Sequence, residues 1–236
     1  MKVDIISSIF GNKQVVEKCI ESWFPIPDDW TVNLYNNKKS DEDGTTEMLL
    51  EKNTIYNYSL MSENINVKHA EALNKLIGKT SGDWILMLDS DAYLKNKKFY
   101  SWVSSILNKN EILFWGTAGI YPPHLIVGWY PRMETYLMPR GDSWIMLINR
   151  KFINDYKLNP DPIRVDGKLT DGKIKYRNLE KEATPKTVEN IRIAGDVGWQ
   201  FYSMATQLNV YKNIPPNILE HWKHVGHASC DPNKKL

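Results

Sequence analysis

The 236-residue sequence predicts an α/β protein built on a mostly parallel central sheet flanked by helices, with a smaller, irregular C-terminal half. Three observations predict this. Strand-like β-branched runs alternate with helical patterns through residues 1–95. The run 84–88, Trp-Ile-Leu-Met-Leu, is apolar throughout and too short for a helix, as a strand covered on both faces would be. The order strand, helix, strand, helix, helix, strand requires crossover connections, and these lay strands parallel.

Taken in order, residues 3–9 are a β-branched run closed by Phe10-Gly11-Asn12, a first strand and its turn. Val15, Val16, Cys19, Ile20 and Trp23 recur at helical spacing over 14–23, and Pro25 and Pro27 end the pattern. Residues 31–35 read as a second strand, followed by a polar loop over 36–44. Thr45 is expected to cap a short helix reaching Lys52. Residues 63–68 are a polar link; from His69, the residues Ala70, Leu73, Leu76 and Ile77 share a helical face that stops at Gly78 or by Gly82. The apolar strand 84–88 comes next. Beyond it 100–107 looks helical, 112–115 and 144–148 look like strands, 196–208 resumes a helical pattern and 210–214 is a last short strand. Segment 163–192 is polar, with eight basic and five acidic residues, and reads either as a functional loop or as a solvated insertion.

Composition narrows the function classes. A net charge of +2 gives no chain-wide electrostatic case for nucleic acid or an anionic membrane. Twenty-four lysines against six arginines supply point charges rather than the bidentate forks that favour tight phosphate or base readout. Cys19 and Cys230 are too few and too distant for a disulfide framework, which points to a reducing compartment, here the cytoplasm. No basic-then-apolar leader opens the sequence, and the uncharged stretch 112–131 is broken by Pro122, Pro123 and Pro131, so no membrane span is expected.

The apolar strand stops abruptly on Asp89-Ser90-Asp91. In an open α/β sheet, ligands bind outside the carboxyl ends of the strands. Two carboxylates two residues apart at such a tip suit a hard divalent cation, Mn²⁺ or Mg²⁺, which commonly bridges to a substrate phosphate. A solvated acidic turn is the plainer alternative. Near the end, His221, His224 and His227 recur every third residue, and an imidazole can complete a cation shell that oxygens leave open. No cysteine pair accompanies them, which argues against a structural zinc site.

Three stretches carry a resemblance. Asn36-Asn37-Lys38-Lys39-Ser40-Asp41-Glu42-Asp43-Gly44-Thr45 resembles a post-strand loop, and Asn66 through Asn74 followed by Gly82 and Asp89-Ser90-Asp91 matches a spacing pattern over 26 residues without a gap. Gly195-Asp196-Val197-Gly198-Trp199 resembles an acidic stretch that opens a helix. Together they resemble the GT-A glycosyltransferases, especially the large inverting family-two group. The resemblance implies a Rossmann-like GT-A domain over 1–236, with a nucleotide-sugar half at 1–95 and an acceptor half at 96–236. It implies that Ser7, Ser8, Ile9 and Phe10 lie along the base, that Asn36 stands in for the uracil-binding Asp, and that Asn66, Lys68 and Ser90 join the donor site. It also implies that Asp91, with Asp89, holds the cation, that His224 or His227 completes it, and that Asp196 is the general base. Asp142 is a second candidate, for holding the acceptor. Two departures stand out: Asn36 replaces an acid, and Lys68 replaces a glycine.

The reading is sugar transfer from a nucleotide-sugar donor, a UDP-sugar, to a hydroxyl, with glycan as the acceptor. The alternatives are a phage-type DNA glycosyltransferase acting on a hydroxymethylated base, which the lysine-rich and arginine-poor usage of an AT-rich genome suits, and an inactive glycan- or nucleic-acid-binding module. A nucleotidyltransferase ranks lower, because the turn Phe10-Gly11-Asn12-Lys13 lacks a Gly-rich basic loop.

Overall fold

In the computed structural model the described residues are 1–37, 41–107, 114–117, 124–130, 133–137, 142–161, 163–169, 173–176, 179–182, 188–195, 197–213 and 218–225. The chain runs β1 (Val3–Ile9), α1 (Lys13–Trp23), β2 (Trp30–Asn36), α2 (Thr45–Tyr56), β3 (Ser59–Ser62), α3 (His69–Lys79), β4 (Trp84–Leu88), β5 (Ala92–Leu94) and α4 (Lys98–Ile106). It continues through β6 (Phe114–Thr117), β7 (His124–Tyr130), β8 (Met133–Leu137), β9 (Asp142–Asn149), α5 (Arg150–Tyr156), β10 (Ile163–Leu169), β11 (Lys173–Tyr176) and β12 (Leu179–Glu182). The last elements are β13 (Val188–Gly195), α6 (Trp199–Gln207), β14 (Tyr211–Asn213), α7 (Ile218–His221) and β15 (Trp222–His224).

The main sheet has the strand order β14-β6-β9-β4-β1-β2-β3. Pairs β1/β2, β1/β4, β2/β3 and β6/β14 are parallel, and β9 runs against both of its neighbours. Period-two alternation splits β4 between two cores: Trp84, Leu86 and Leu88 face one, Ile85 and Met87 the other. On the first face α1 contributes Val16, Ile20 and Trp23, α2 contributes Met48 and Leu49, and α4 contributes Phe99, Tyr100 and Val103. The opposite face is closed by Ala72, Leu73 and Leu76 of α3, Phe152 of α5 and Phe201 of α6. Burying each such side chain contributes roughly 1.5–3 kcal/mol, so a strand covered on both faces is held far more firmly than its five residues would suggest. This is the GT-A arrangement of a mostly parallel sheet between helical layers.

A buried ion pair fixes the end of the sheet remote from β4's carboxyl tip. Asp4 of β1 accepts from the Gly82 N–H at 2.5 Å and from Thr31 Oγ1 at 2.7 Å, and pairs with Arg150 Nη2 at 3.2 Å. Arg150 also donates to the carbonyls of Gly82 and Ile77 and to Thr80 Oγ1, tying the end of α3 to the start of β4. Gly82 is needed for this approach: a Cβ there would stand 2.8 Å from Asp4 Oδ2.

Several expectations change. Thr45 does not cap α2; Gly44, in the left-handed region, does, while Asp43 takes the Thr45 N–H and hydroxyl. The short strand β3 and helix α5 interrupt stretches that carry weak periodicity. Segment 163–192, read as a loop or insertion, contains β10 to β13, with β10 and β13 paired antiparallel and β13 joined in parallel to β8. Its alternation, Ile163 and Val165 against Ile191 and Ile193, is real but diluted by charged neighbours.

Candidate active site

The site grows from the tip of β4. The Asp89 N–H donates to the Trp144 carbonyl at 2.9 Å, extending the β4/β9 ladder one residue past the strand, and the Ala92 N–H closes a turn on the Asp89 carbonyl at 3.1 Å. That turn raises Asp89, Ser90 and Asp91 at the carboxyl edge; Ser90 and Asp91 are buried there and Asp89 is half-buried. β5 then pairs antiparallel with β15, setting His224 opposite Ala92, and the Val225 N–H donates to the Asp91 carbonyl at 3.2 Å. A short C-terminal strand thereby delivers an imidazole to the acidic turn.

His224 Nε2 lies 3.1 Å from Asp91 Oδ1 and 3.5 Å from Asp89 Oδ2. One ligand atom from each of the three residues falls within 4.8 Å of the others. Burial disfavours the His224 imidazolium, but hydrogen bonds with Asp89 and Asp91 outweigh it and raise the group to about 9. Two facing carboxylates therefore demand positive charge between them. The donor set of two carboxylates and one imidazole fits Mn²⁺ better than Mg²⁺, since Mg²⁺ takes oxygen ligands and accepts an imidazole nitrogen poorly. His221 is not part of this group; its carbonyl accepts from the N–H groups of Lys95 and Asn96. His227 lies outside the described residues.

The other described candidates gather at the same edge of the sheet. Ser7, Ser8 and Ile9 are the last residues of β1, and Ile9 is in register with Asn36 at the end of β2. All four are buried; Ile9 packs in the core, while Ser7 Oγ finds no partner among the described residues. Asn36 Nδ2 donates to Thr46 Oγ1 at 2.9 Å, and the Thr46 hydroxyl donates in turn to Asp41. A carboxylate can only accept, so this chain fixes the Asn36 amide and leaves its Oδ1 without a donor among the described residues. Phe10 follows β1, half-buried, and Asn66 and Lys68 are exposed just before α3. Asp142 begins β9, on the same strand as Trp144, and Asp196 lies outside the described residues. Cys19, buried beside Val15, has its thiol pushed up by burial and by Asp91, which makes it a poor nucleophile.

Three contacts are not foreseen from the sequence. His69, the first residue of α3, has Nε2 3.7 Å from Asp89 Oδ1, on the side of the carboxylate away from the His224 contact at Oδ2. The Trp144 ring stacks on His224. Asn37 ties three segments together, its N–H on the Ile9 carbonyl and its Nδ2 on the Val67 carbonyl. The first two depend on tertiary approach alone; the Asn36-Asn37 pair closing a strand is the signal that could point to the third.

Residues 4–168 match the family model of glycosyl transferase family 2. The chain belongs to that family. No curated protein matches the sequence. Among solved structures, this family-2 chain is similar to the mannosyltransferase PcManGT of Pyrobaculum calidifontis in complex with GDP-Man and Mn²⁺, at 14% identity and TM-score 0.52, over 66% of this chain and 46% of that one. It is also similar to S. aureus TarS 1–349 in complex with UDP, at 14% identity and TM-score 0.51, over 68% of this chain and 50% of that one. At that identity the likeness shows the GT-A fold alone. The family-2 chain spans about half the length of these structures. Among its described residues, no helix is long and apolar enough to cross a membrane.

Proposed function

We propose that this family-2 chain is a metal-dependent glycosyltransferase that moves a sugar from a nucleotide-sugar donor to a hydroxyl of a glycan. The observation that carries the reading is the convergence of Asp89, Asp91 and His224 at the carboxyl tip of β4, beside the ends of β1 and β2. PcManGT, of the same fold, holds GDP-Man with Mn²⁺, and TarS holds UDP.

Asp89, Asp91 and His224 would hold the cation, and when bound it offsets the charge that builds on the leaving diphosphate. The residues do the rest. Ser7, Ser8, Phe10 and Asn36 bind the base; the Asn36 carbonyl oxygen, which has no donor among the described residues, accepts from a base N–H, which suits a UDP-sugar. Lys68 and Asn66 flank the diphosphate with Ser90. Asp196 takes the proton from the acceptor hydroxyl as that oxygen attacks the anomeric carbon, a role worth roughly 10²–10⁴-fold in rate. Asp142 orients the acceptor. Residues 1–95 form the donor half and 96–236 the acceptor half of one domain.

The test is mass spectrometry of products after incubation with Mn²⁺, a pool of sugar nucleotides, and either glycan or hydroxymethylated DNA. A hexose or pentose increment on glycan, abolished by EDTA, is expected. Transfer undiminished in EDTA would sink the metal role. Transfer to DNA alone would move the acceptor to nucleic acid, and binding should then weaken steeply with salt. Donor binding with no transfer to either would leave a binding module.

A further inference from the structure

The three-residue strand β15 fixes the backbone of His224 against β5, but backbone pairing alone leaves the imidazole free to turn. Rotation about the ring bond of a histidine is broad and only weakly restricted by its own backbone. A ligand nitrogen must nevertheless aim at its ion, and outer contacts normally fix that aim. Trp144 supplies such a contact. Its buried indole lies flat on the His224 ring, centroids 5.1 Å apart and planes 8° from parallel. The same residue's carbonyl receives the Asp89 N–H at 2.9 Å. One residue of β9 thus touches both the turn that carries the carboxylates and the imidazole brought from the C-terminal strand.

We propose that Trp144 is a positioning residue: its indole face holds His224 with Nε2 turned to Asp91 and Asp89, so that a site for a divalent ion such as Mn²⁺ is formed before any donor arrives. This rests on the metal role given to His224 above. With the indole in place, the ring can swing only by pushing its edge into the aromatic face. Once that face is lost, the imidazole samples rotamers that point elsewhere, and the ion must reorder it on binding. A Phe at this position keeps a flat face; a Leu keeps apolar bulk and loses it.

Mn²⁺ binding to the donor-free protein, followed by the loss of the free-ion EPR signal, tests this. Trp144→Leu should weaken Mn²⁺ by about 10–100-fold, the range for removing an outer contact, whereas Trp144→Phe should stay within about threefold of wild type. Leu147→Ala, which opens the same strand's core without touching His224, should leave Mn²⁺ affinity unchanged and so separates positioning from general loosening. A measurement on the unmutated, metal-free protein guards against a variant that fails to fold. The carbon-bound ring protons of His224, assigned by their disappearance in His224→Gln, should be shifted upfield by the indole ring current. Resonances at free-histidine positions, or Trp144→Leu with wild-type affinity, overturn the proposal. If His224→Gln weakens Mn²⁺ while Trp144→Leu does not, only the role of Trp144 falls; uptake of Mn²⁺ by the wild type only when UDP is added overturns the pre-formed site and keeps the metal reading, and no uptake with or without UDP overturns both.

Discussion

At Asp91 the backbone and side chain are engaged in opposite directions: the carbonyl receives the Val225 N–H while the carboxylate faces His224 at 3.1 Å. A carboxylate held this way, and only 7% exposed, cannot turn to water when the imidazole leaves, so it should dominate cation binding. Asp91→Ala is expected to lower Mn²⁺ affinity by more than about 100-fold, beyond the usual cost of an outer partner, and to abolish donor turnover. Isothermal titration with Mn²⁺ and a donor-hydrolysis assay check both; affinity within tenfold of wild type would remove Asp91 from the ligand set. His69 Nε2 stands 3.7 Å from Asp89 Oδ1, beyond hydrogen-bond reach, so His69→Ala should cost less, at most about tenfold, by loosening the aim of that carboxylate. The acidic pair is legible in the sequence because a buried apolar strand ending on two acids is a local pattern. Which histidine meets it is not, because the β5/β15 pairing that selects His224 over His221 joins segments remote in the chain.

Elements fix where those residues stand. β15 is anchored by Trp222, buried and edge-on to Phe99 with centroids 5.2 Å apart, two positions before His224. Trp222→Ala should cost about 3–5 kcal/mol by urea denaturation and also weaken Mn²⁺, whereas Leu73→Ala in α3, on the opposite face, should cost about 2–5 kcal/mol and spare the ion. Equal loss of Mn²⁺ affinity in both would mean that general softening, not the anchoring of β15, controls the site. At the far end of the sheet, Arg150→Met leaves Asp4 charged, buried and unpaired, and should destabilise by about 3–5 kcal/mol with the Mn²⁺ affinity of the folded protein preserved. The first half of the chain is readable because α1, α3 and β4 state their periods plainly, and Gly82 is explained by the closeness of Asp4. β3, with its four residues Ser59–Ser62 on the sheet edge and its outer positions exposed, has too little apolar contrast to announce itself. β10 and β13 hide for a related reason: their alternation is carried by single Ile and Val residues between charges, and pairing with each other and of β13 with β8 gives them a context; β11 and β12 are short, charged and paired only with each other.

For the whole molecule, the consequence of this topology is that the cation's candidate ligands come from the centre of the main sheet and from the last described strand. An ion held by both ties the C-terminal segment to the β4 tip, so it binds the folded chain far better than the unfolded one, where His224 is remote from the acidic pair. Stability must then rise with free ion by mass action. At one hundred times its dissociation constant Mn²⁺ adds about 2.7 kcal/mol, and for a chain of this size each kcal/mol lifts Tm by about 2–4 °C, so a rise of about 5–10 °C is expected. EDTA should reverse it. Asp91→Asn, which keeps the shape of the side chain and removes its charge, should abolish the rise and also lower the metal-free Tm by a few degrees at neutral pH, since the His224 imidazolium loses one of its two carboxylate partners. A Tm that ignores Mn²⁺ in the wild type, or that climbs equally in Asp91→Asn, would mean the acidic turn and the C-terminal imidazole are neighbours without a shared ion.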